Sequence, residues 1–204
     1  MSLLKRIELS VAISLVFCVI LNIISFAVTS EKIREDILRL HVIANSDSVA
    51  DQNLKLAVRD ALLEAGSEIF DGSVTVENAE SKIKPEIDKL IKISENVIKS
   101  YGFEYDVDIT ISNEYFSTRT YNQITLPAGE YLALRVVIGE GEGQNWWCVM
   151  FPPMCLSAAD ENNILSSVLT KEEINLVNKN PKIEPRFKIV EIFENIKLYF
   201  NEKN

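Results

Sequence analysis

Residues 105–112 read Y-D-V-D-I-T-I-S, and their alternation decides the fold. Tyr105, Val107, Ile109 and Ile111 share one side of an extended chain while Asp106, Asp108, Thr110 and Ser112 share the other, the pattern of a strand with one wet face. Before this stretch the apolar period is helical. Leu54, Ala57, Val58, Ala61, Leu62 and Ala65 follow the spacing of an amphipathic helix ending near Gly66. Ser48 followed by Asp51 resembles a capping box at its start. Ile83, Ile87, Leu90, Ile91, Val97 and Ile98 mark a second helical region over Val76–Tyr101, kinked or restarted at Pro85 and closed by Gly102.

After residue 112 the period stays that of a sheet. Tyr115–Tyr121 is expected as a partner strand, L-P-A-G-E at 126–130 as a turn, and Y-L-A-L-R-V-V-I at 131–138 as a strand with Leu132, Leu134, Val136 and Ile138 on one face. G-E-G-E-G at 139–143 then reads as a flexible connection to a tryptophan-bearing strand. Together these predict an α+β domain, a three- or four-stranded antiparallel meander covered by amphipathic helices. L-R-L-H-V-I-A at Leu38–Ala44 is a further strand, followed by the turn formers N-S-D-S. Near the C-terminus, Thr170 with Glu173 makes a capping box stapled by Leu169 and Ile174, and the helix it opens stops at Asn178. Ile189, Ile192, Phe193, Ile196 and Phe200 predict a last helix, although Phe187–Ile192 also fits the start of a strand.

At the other end, L-S-V-A-I-S-L-V-F-C-V-I-L-N-I-I-S-F-A-V from Leu9 to Val28 carries no charge. At about 1.5 Å per residue it is long enough for a hydrocarbon core of roughly 30 Å. Lys5 and Arg6 precede it, so the positive-inside rule keeps the N-terminus cytoplasmic and exports the rest. The run reads as an uncleaved anchor; Ser25-Phe26-Ala27, with small residues where a signal peptidase reads, keeps a long signal peptide open. The expected division is a signal or transmembrane segment over 1–30 and one extracytoplasmic domain over 31–204, with Thr29–Arg34 as the linker.

The 204 residues hold 21 basic and 30 acidic side chains. Setting aside Lys5, Arg6 and Glu8 leaves 19 against 29, an acidic domain that repels nucleic acid and anionic lipid. Its cysteines are read by compartment. Cys18 lies in the apolar run, whereas Cys148 and Cys155 close an eight-residue loop that an oxidising space would bridge. The chain-entropy contribution is roughly 2.5 kcal/mol. Free thiols, a redox pair and a metal site are weaker readings: the spacing is not C-x-x-C, and one histidine with two thiols is a poor zinc set. In N-W-W-C-V-M-F-P-P-M-C, 145–155, the proline pair ends the strand, and Trp146 and Trp147 point to opposite faces, so at most one is fully buried.

No catalytic constellation emerges. His41 is the sole histidine, with Ser46, Ser48, Asp47 and Asp51 downstream; G-x-S-x-G, H-E-x-x-H and phosphate-binding glycine loops are absent from the sequence. No cofactor, metal or small-molecule substrate is expected. A membrane-anchored envelope hydrolase using His41 and Asp47 is the alternative.

Two stretches carry a resemblance. L-R-L-H-V-I-A-N-S-D-S-V-A-D-Q-N-L-K-L-A-V-R-D at 38–60, with N-W-W-C-V-M-F-P-P-M-C at 145–155, is similar to the stage II sporulation protein R family of endospore-forming Firmicutes. The resemblance implies a sporulation signalling protein, not an enzyme, made in the forespore and exported into the intermembrane space. There it would trigger a membrane-embedded aspartic protease of the mother cell that processes the precursor of sigma factor E. For such a partner the candidate contact residues are Asn45, Ser46, Asp47 and Asp51 at the strand-to-helix corner, and Trp146 and Trp147 beside the Cys148–Cys155 bridge.

Overall fold

The structure is a computed structural model that describes residues 2–70, 76–121, 124–152, 169–178 and 184–201. Helix α1 (Leu3–Glu35) opens the chain, followed by β1 (Leu38–Ile43), α2 (Val49–Ile69), α3 (Val76–Ile83), a 3-10 turn (Lys84–Glu86) and α4 (Ile87–Ser100). Then come β2 (Val107–Phe116), β3 (Arg119–Tyr121), β4 (Ile124–Leu126), β5 (Gly129–Ile138) and β6 (Asn145–Phe151), and finally α5 (Lys171–Val177) and α6 (Glu184–Asn201). The α+β class stands. Pro85 restarts the second helical region, and Gly102 leaves it at φ +81°.

The sheet runs β2-β5-β1-β6. β2 and β5 pair antiparallel over their full length, from Val107 opposite Ile138 to Phe116 opposite Gly129. β1 enters between β5 and β6, parallel to the first and antiparallel to the second, so the strands do not follow one another as a simple meander. Its six residues are all buried, because a central strand is covered on both faces. The segment Tyr115–Tyr121 divides: its first two residues extend β2, and Arg119–Tyr121 forms a small hairpin with β4.

One face of the sheet packs Leu40, Val42, Leu134 and Val136 against Leu54, Val58 and Leu62 of α2 and Leu90 and Ile98 of α4. The other packs Phe116, Tyr131 and Val149 against Ile33, Ile37, Leu169 and Val177. Thr29–Arg34, expected as a linker, is therefore helical: no breaker interrupts α1, Ser30 and Ile33 are buried, and Arg34 donates to the Ala128 carbonyl at 3.2 Å. α1 is long and apolar enough to cross a membrane, and nearly all of its apolar stretch is exposed. α2 runs three residues past Gly66, where a Cβ would meet the Met150 side chain at 2.7 Å. The capping box of Thr170 and Glu173 forms with both bonds, and α6 is helical from Glu184, leaving no strand at Phe187–Ile192.

Candidate functional site

β1 delivers its residues to two ends of one site. Beyond its last residue the chain turns through Asn45–Ser48 into α2, and Ser48 caps that helix by accepting from the Asp51 N–H at 3.1 Å. The expected capping box is only half made, because the Ser48 N–H donates to Ser46 Oγ. The Asp51 carboxylate turns inward. Its Oδ2 accepts from Ser46 Oγ at 2.5 Å and from Asn45 Nδ2 at 3.0 Å, and the residue is only 4% exposed. Burial opposes its charge, yet hydrogen bonding, led by Ser46 and Asn45 with Tyr105 and Ser48 behind, outweighs burial and holds the carboxyl below the usual range.

The glycine turn closes over this corner. Asn45 Oδ1 accepts from the Glu140 N–H at 3.0 Å, Asp47 Oδ1 from the Gln144 N–H at 2.7 Å, and the Ala44 carbonyl from the Gly143 N–H at 2.9 Å. The connection expected to be flexible is thus tied down by three strand-to-helix residues, Ala44, Asn45 and Asp47, with Gly139 and Gly141 at φ +58° and +65° supplying backbone that side chains rarely adopt. Lys55 reaches underneath from α2, donating to the Gln144 carbonyl at 2.9 Å; burial lowers its pKa, with Asp47 acting in the opposite direction.

The tryptophan strand continues from that turn. Trp146 is 37% exposed and lies over Arg59 of α2, whose guanidinium carbon sits 4.5 Å from the ring. Trp147, half-buried on the opposite face, stacks on His41 with 3.7 Å between centroids and 15° between planes. Phe116 meets the same indole edge-on at 4.8 Å. Neither tryptophan is fully buried, and both belong to the same end of the sheet as the Asn45–Asp51 corner, since Ile43 pairs with Asn145 and Val42 with Trp146.

His41 is buried and engaged at both ring nitrogens. Nδ1 lies 2.6 Å from Glu114 Oε2 and Nε2 lies 2.7 Å from the Asn145 side-chain amide. The carboxylate accepts, so Nδ1 carries a proton. Glu114 also faces Arg135 Nε at 3.4 Å. An acid on one nitrogen of a histidine is the orienting half of a nucleophilic triad, but the other nitrogen here meets an amide where a hydroxyl or thiol would have to stand. Asp47, paired with His41 in the hydrolase reading, instead caps the Gln144 N–H.

Deeper on the same face lies Arg39, fully buried. Its Nε donates to the Cys148 carbonyl at 3.0 Å and its Nη2 to Tyr121 Oη at 2.6 Å, while Nη1 has no hydrogen-bond partner among the described residues. Among the described residues it has no ion pair; the rings of Phe116, Tyr131 and Tyr121 surround it at 4.2, 5.0 and 5.4 Å. Burial lowers its pKa, and the two phenols oppose that shift. Cys148 is disulfide-bonded and Cys18 is free; Cys155 lies outside the described residues.

Sequence reasoning missed Glu114, Arg135, Asn145 and Arg39. Each meets its partner across the sheet, 73 positions apart for His41 and Glu114 and 104 for His41 and Asn145, and no local pattern announces such a pair.

The family model described as stage II sporulation protein R matches residues 34–161, from the end of α1 through the whole sheet. The chain belongs to the stage II sporulation protein R family. A relative named stage II sporulation protein R, from Bacillus subtilis (strain 168), is 33% identical over 123 residues. The match covers 60% of this chain and 55% of that relative, so the chain spans little more than half of the relative's length. No solved structure matches. Family membership supports a role in sporulation, and the matched region contains both the Asn45–Asp51 corner and the tryptophan strand.

Proposed function

We propose that this family member is an exported sporulation signalling protein. It activates, by protein–protein contact, the membrane aspartic protease that processes the precursor of sigma factor E, and so carries a forespore signal to the mother cell. The observation that carries this reading is the family match over the entire sheet, directly behind a helix apolar and long enough to cross a membrane. α1 spans the bilayer with its N-terminus cytoplasmic, and the domain stands in the intermembrane space.

A contact activator needs a rigid surface that binds the active form of its target better than the inactive form. The corner supplies rigidity through the bonds of Asn45, Ser46 and Asp51. It presents Asp47, Glu140, Glu142 and Trp146, which are exposed, while Trp147 braces the strand from behind. An exposed tryptophan rimmed by acids suits a partner surface that is apolar at its centre and basic at its edge. Confinement at a membrane raises the effective concentration, so modest affinity suffices.

The test is co-expression of the full chain with the protease and the sigma precursor. Cleavage should depend on the chain, persist with His41→Ala where this variant folds, and fall with Trp146→Ala. Cleavage independent of the chain would remove the proposal, and loss of cleavage with a folded His41→Ala protein would favour the hydrolase.

A further inference from the structure

Helix α6 carries apolar residues on two sides. On one, Phe187 and Val190 are buried, and Phe187 meets Phe26 of α1 edge-on, 5.3 Å between centroids at 78°. On the other, Ile189, Ile192, Ile196 and Tyr199 are exposed by 47, 52, 50 and 55%. Steps of three, four and three place these four on one stripe of the helix. Lys188 and Glu191, ion-paired at 3.1 Å, lie along its margin.

Four large apolar side chains in a row call for a medium other than water, and their position identifies it. Ile189 and Val190 line a groove of 420 Å³ together with Leu15, Val19, Ile23 and Phe26 of α1. On the reading in which α1 spans the bilayer, on which this inference rests, those α1 residues lie at hydrocarbon depth. A helix that shares a wall with them reaches the same layer. We infer that α6 is a second membrane-contacting element, lying in the interface of the leaflet on the domain's side. Ile189, Ile192, Ile196 and Tyr199 face the acyl chains, and the Lys188–Glu191 pair stays at the headgroups, as in other interfacial amphipathic helices. The chain is acidic, with net charge −9, so apolar insertion and not attraction to anionic lipid holds the helix down. The helix lies outside the residues matched by the family model.

The experiment uses the full chain in phosphatidylcholine vesicles, with and without phosphatidylglycerol. A nitroxide is placed at the free Cys18 of the natural chain and, in a Cys18→Ser background, at Ile192→Cys, Ile196→Cys and Lys188→Cys. Labels at 18, 192 and 196 should collide with oxygen and be shielded from a water-soluble nickel chelate, with 188 reversed, alike in both lipids and at high salt. If 18 is in lipid while 192 and 196 are as open to nickel as 188, the inference fails and the span of α1 stands. If 18 itself is in water, both fail. Shielding of 192 and 196 from both reagents would mean that protein covers the stripe, and this too overturns the inference. Without any label, Ile192→Glu combined with Ile196→Glu should speed trypsin cleavage at Lys188 severalfold in vesicles, and an unchanged rate counts against the interfacial helix.

Discussion

Removing the carboxylate of Asp51 should undo the corner that joins the first strand to the glycine turn. In Asp51→Ala the Ser46 hydroxyl and the Asn45 amide lose their common acceptor, now at 2.5 and 3.0 Å. Bonds to a charged group contribute about 1.5 to 3 kcal/mol each. Part of that is offset because the substitution also removes a buried charge whose Oδ1 has no partner among the described residues, a relief of about 1 to 2 kcal/mol on the same scale. The net loss is about 3 kcal/mol, and for a chain of this size it lowers Tm by roughly 6 to 12 °C. Tryptophan fluorescence of the full chain in detergent micelles is the assay, because Trp146 and Trp147 lie beside the corner while α1 stays helical in the micelle. The pH dependence has a definite sign. The folded pKa of Asp51 is depressed below its unfolded value, so its stabilisation is complete above the unfolded value of about 3.9 and disappears as pH falls through the folded one. The Tm gap between the natural chain and Asp51→Ala should therefore be widest near neutrality and narrow in acid. A variant within 2 °C of the natural chain at about pH 7, or a gap that widens in acid, would refute the account of the corner.

Arg39 separates packing from charge: Arg39→Ala should cost about 4 kcal/mol by leaving a cavity among three rings, while Arg39→Met, which refills the space without a buried charge, should cost far less in urea unfolding. Trp147→Ala should destabilise by about 3 kcal/mol because the indole fills the gap between His41 and Phe116, whereas Trp146→Ala should cost less than about 1 kcal/mol, the scale of an exposed cation–π contact; urea midpoints measure both. Gly139→Ala should cost about 2 kcal/mol in the same assay, since φ is +58° there and a Cβ would collide with Asn45 Oδ1.

Much of the fold was legible where the signal is local. The apolar spacing of Leu54 to Ala65, the Thr170–Glu173 box and the alternation at Val107–Ser112 each depend on neighbours within one or two turns, and each became the element expected. The position of β1 was not legible, because parallel pairing with β5 joins residues such as His41 and Arg135 without any turn between them. The helical continuation of α1 through Thr29–Arg34 was missed for a related reason: Ile33 is apolar among charged neighbours, and only the far face of the sheet explains its burial. At the site, the two motif patches were visible in the sequence. That they form one end of the molecule follows from the Ile43–Asn145 register and the folding of the glycine turn over Asn45, which are tertiary facts. The flexibility ascribed to that turn came from its glycines alone; the same glycines allow the sharp backbone that Asn45 and Asp47 then hold by hydrogen bonds.

Continuity between α1 and the sheet also bears on how the contact surface is presented. From Ser30 onward α1 belongs to the domain, with Ile33 in the core and Arg34 tied to Ala128 and, at 3.8 Å, to Glu194 of α6. If the domain is anchored, a stiff helix and not a loose tether then sets its height and tilt above the bilayer, and holds the tryptophan corner at a fixed level for the partner proposed above. Cleavage after Ala27 would leave the attachment of Ile33 in place but remove Phe26, the aromatic against which Phe187 packs. α6 would then keep the Arg34–Glu194 pair and the hydrogen bond from Tyr115 to Asn195, both polar, with its first apolar face packed on Leu176 but no longer on Phe26. The retained and released forms would accordingly share the sheet and its corner and differ at α6, where the domain meets lipid.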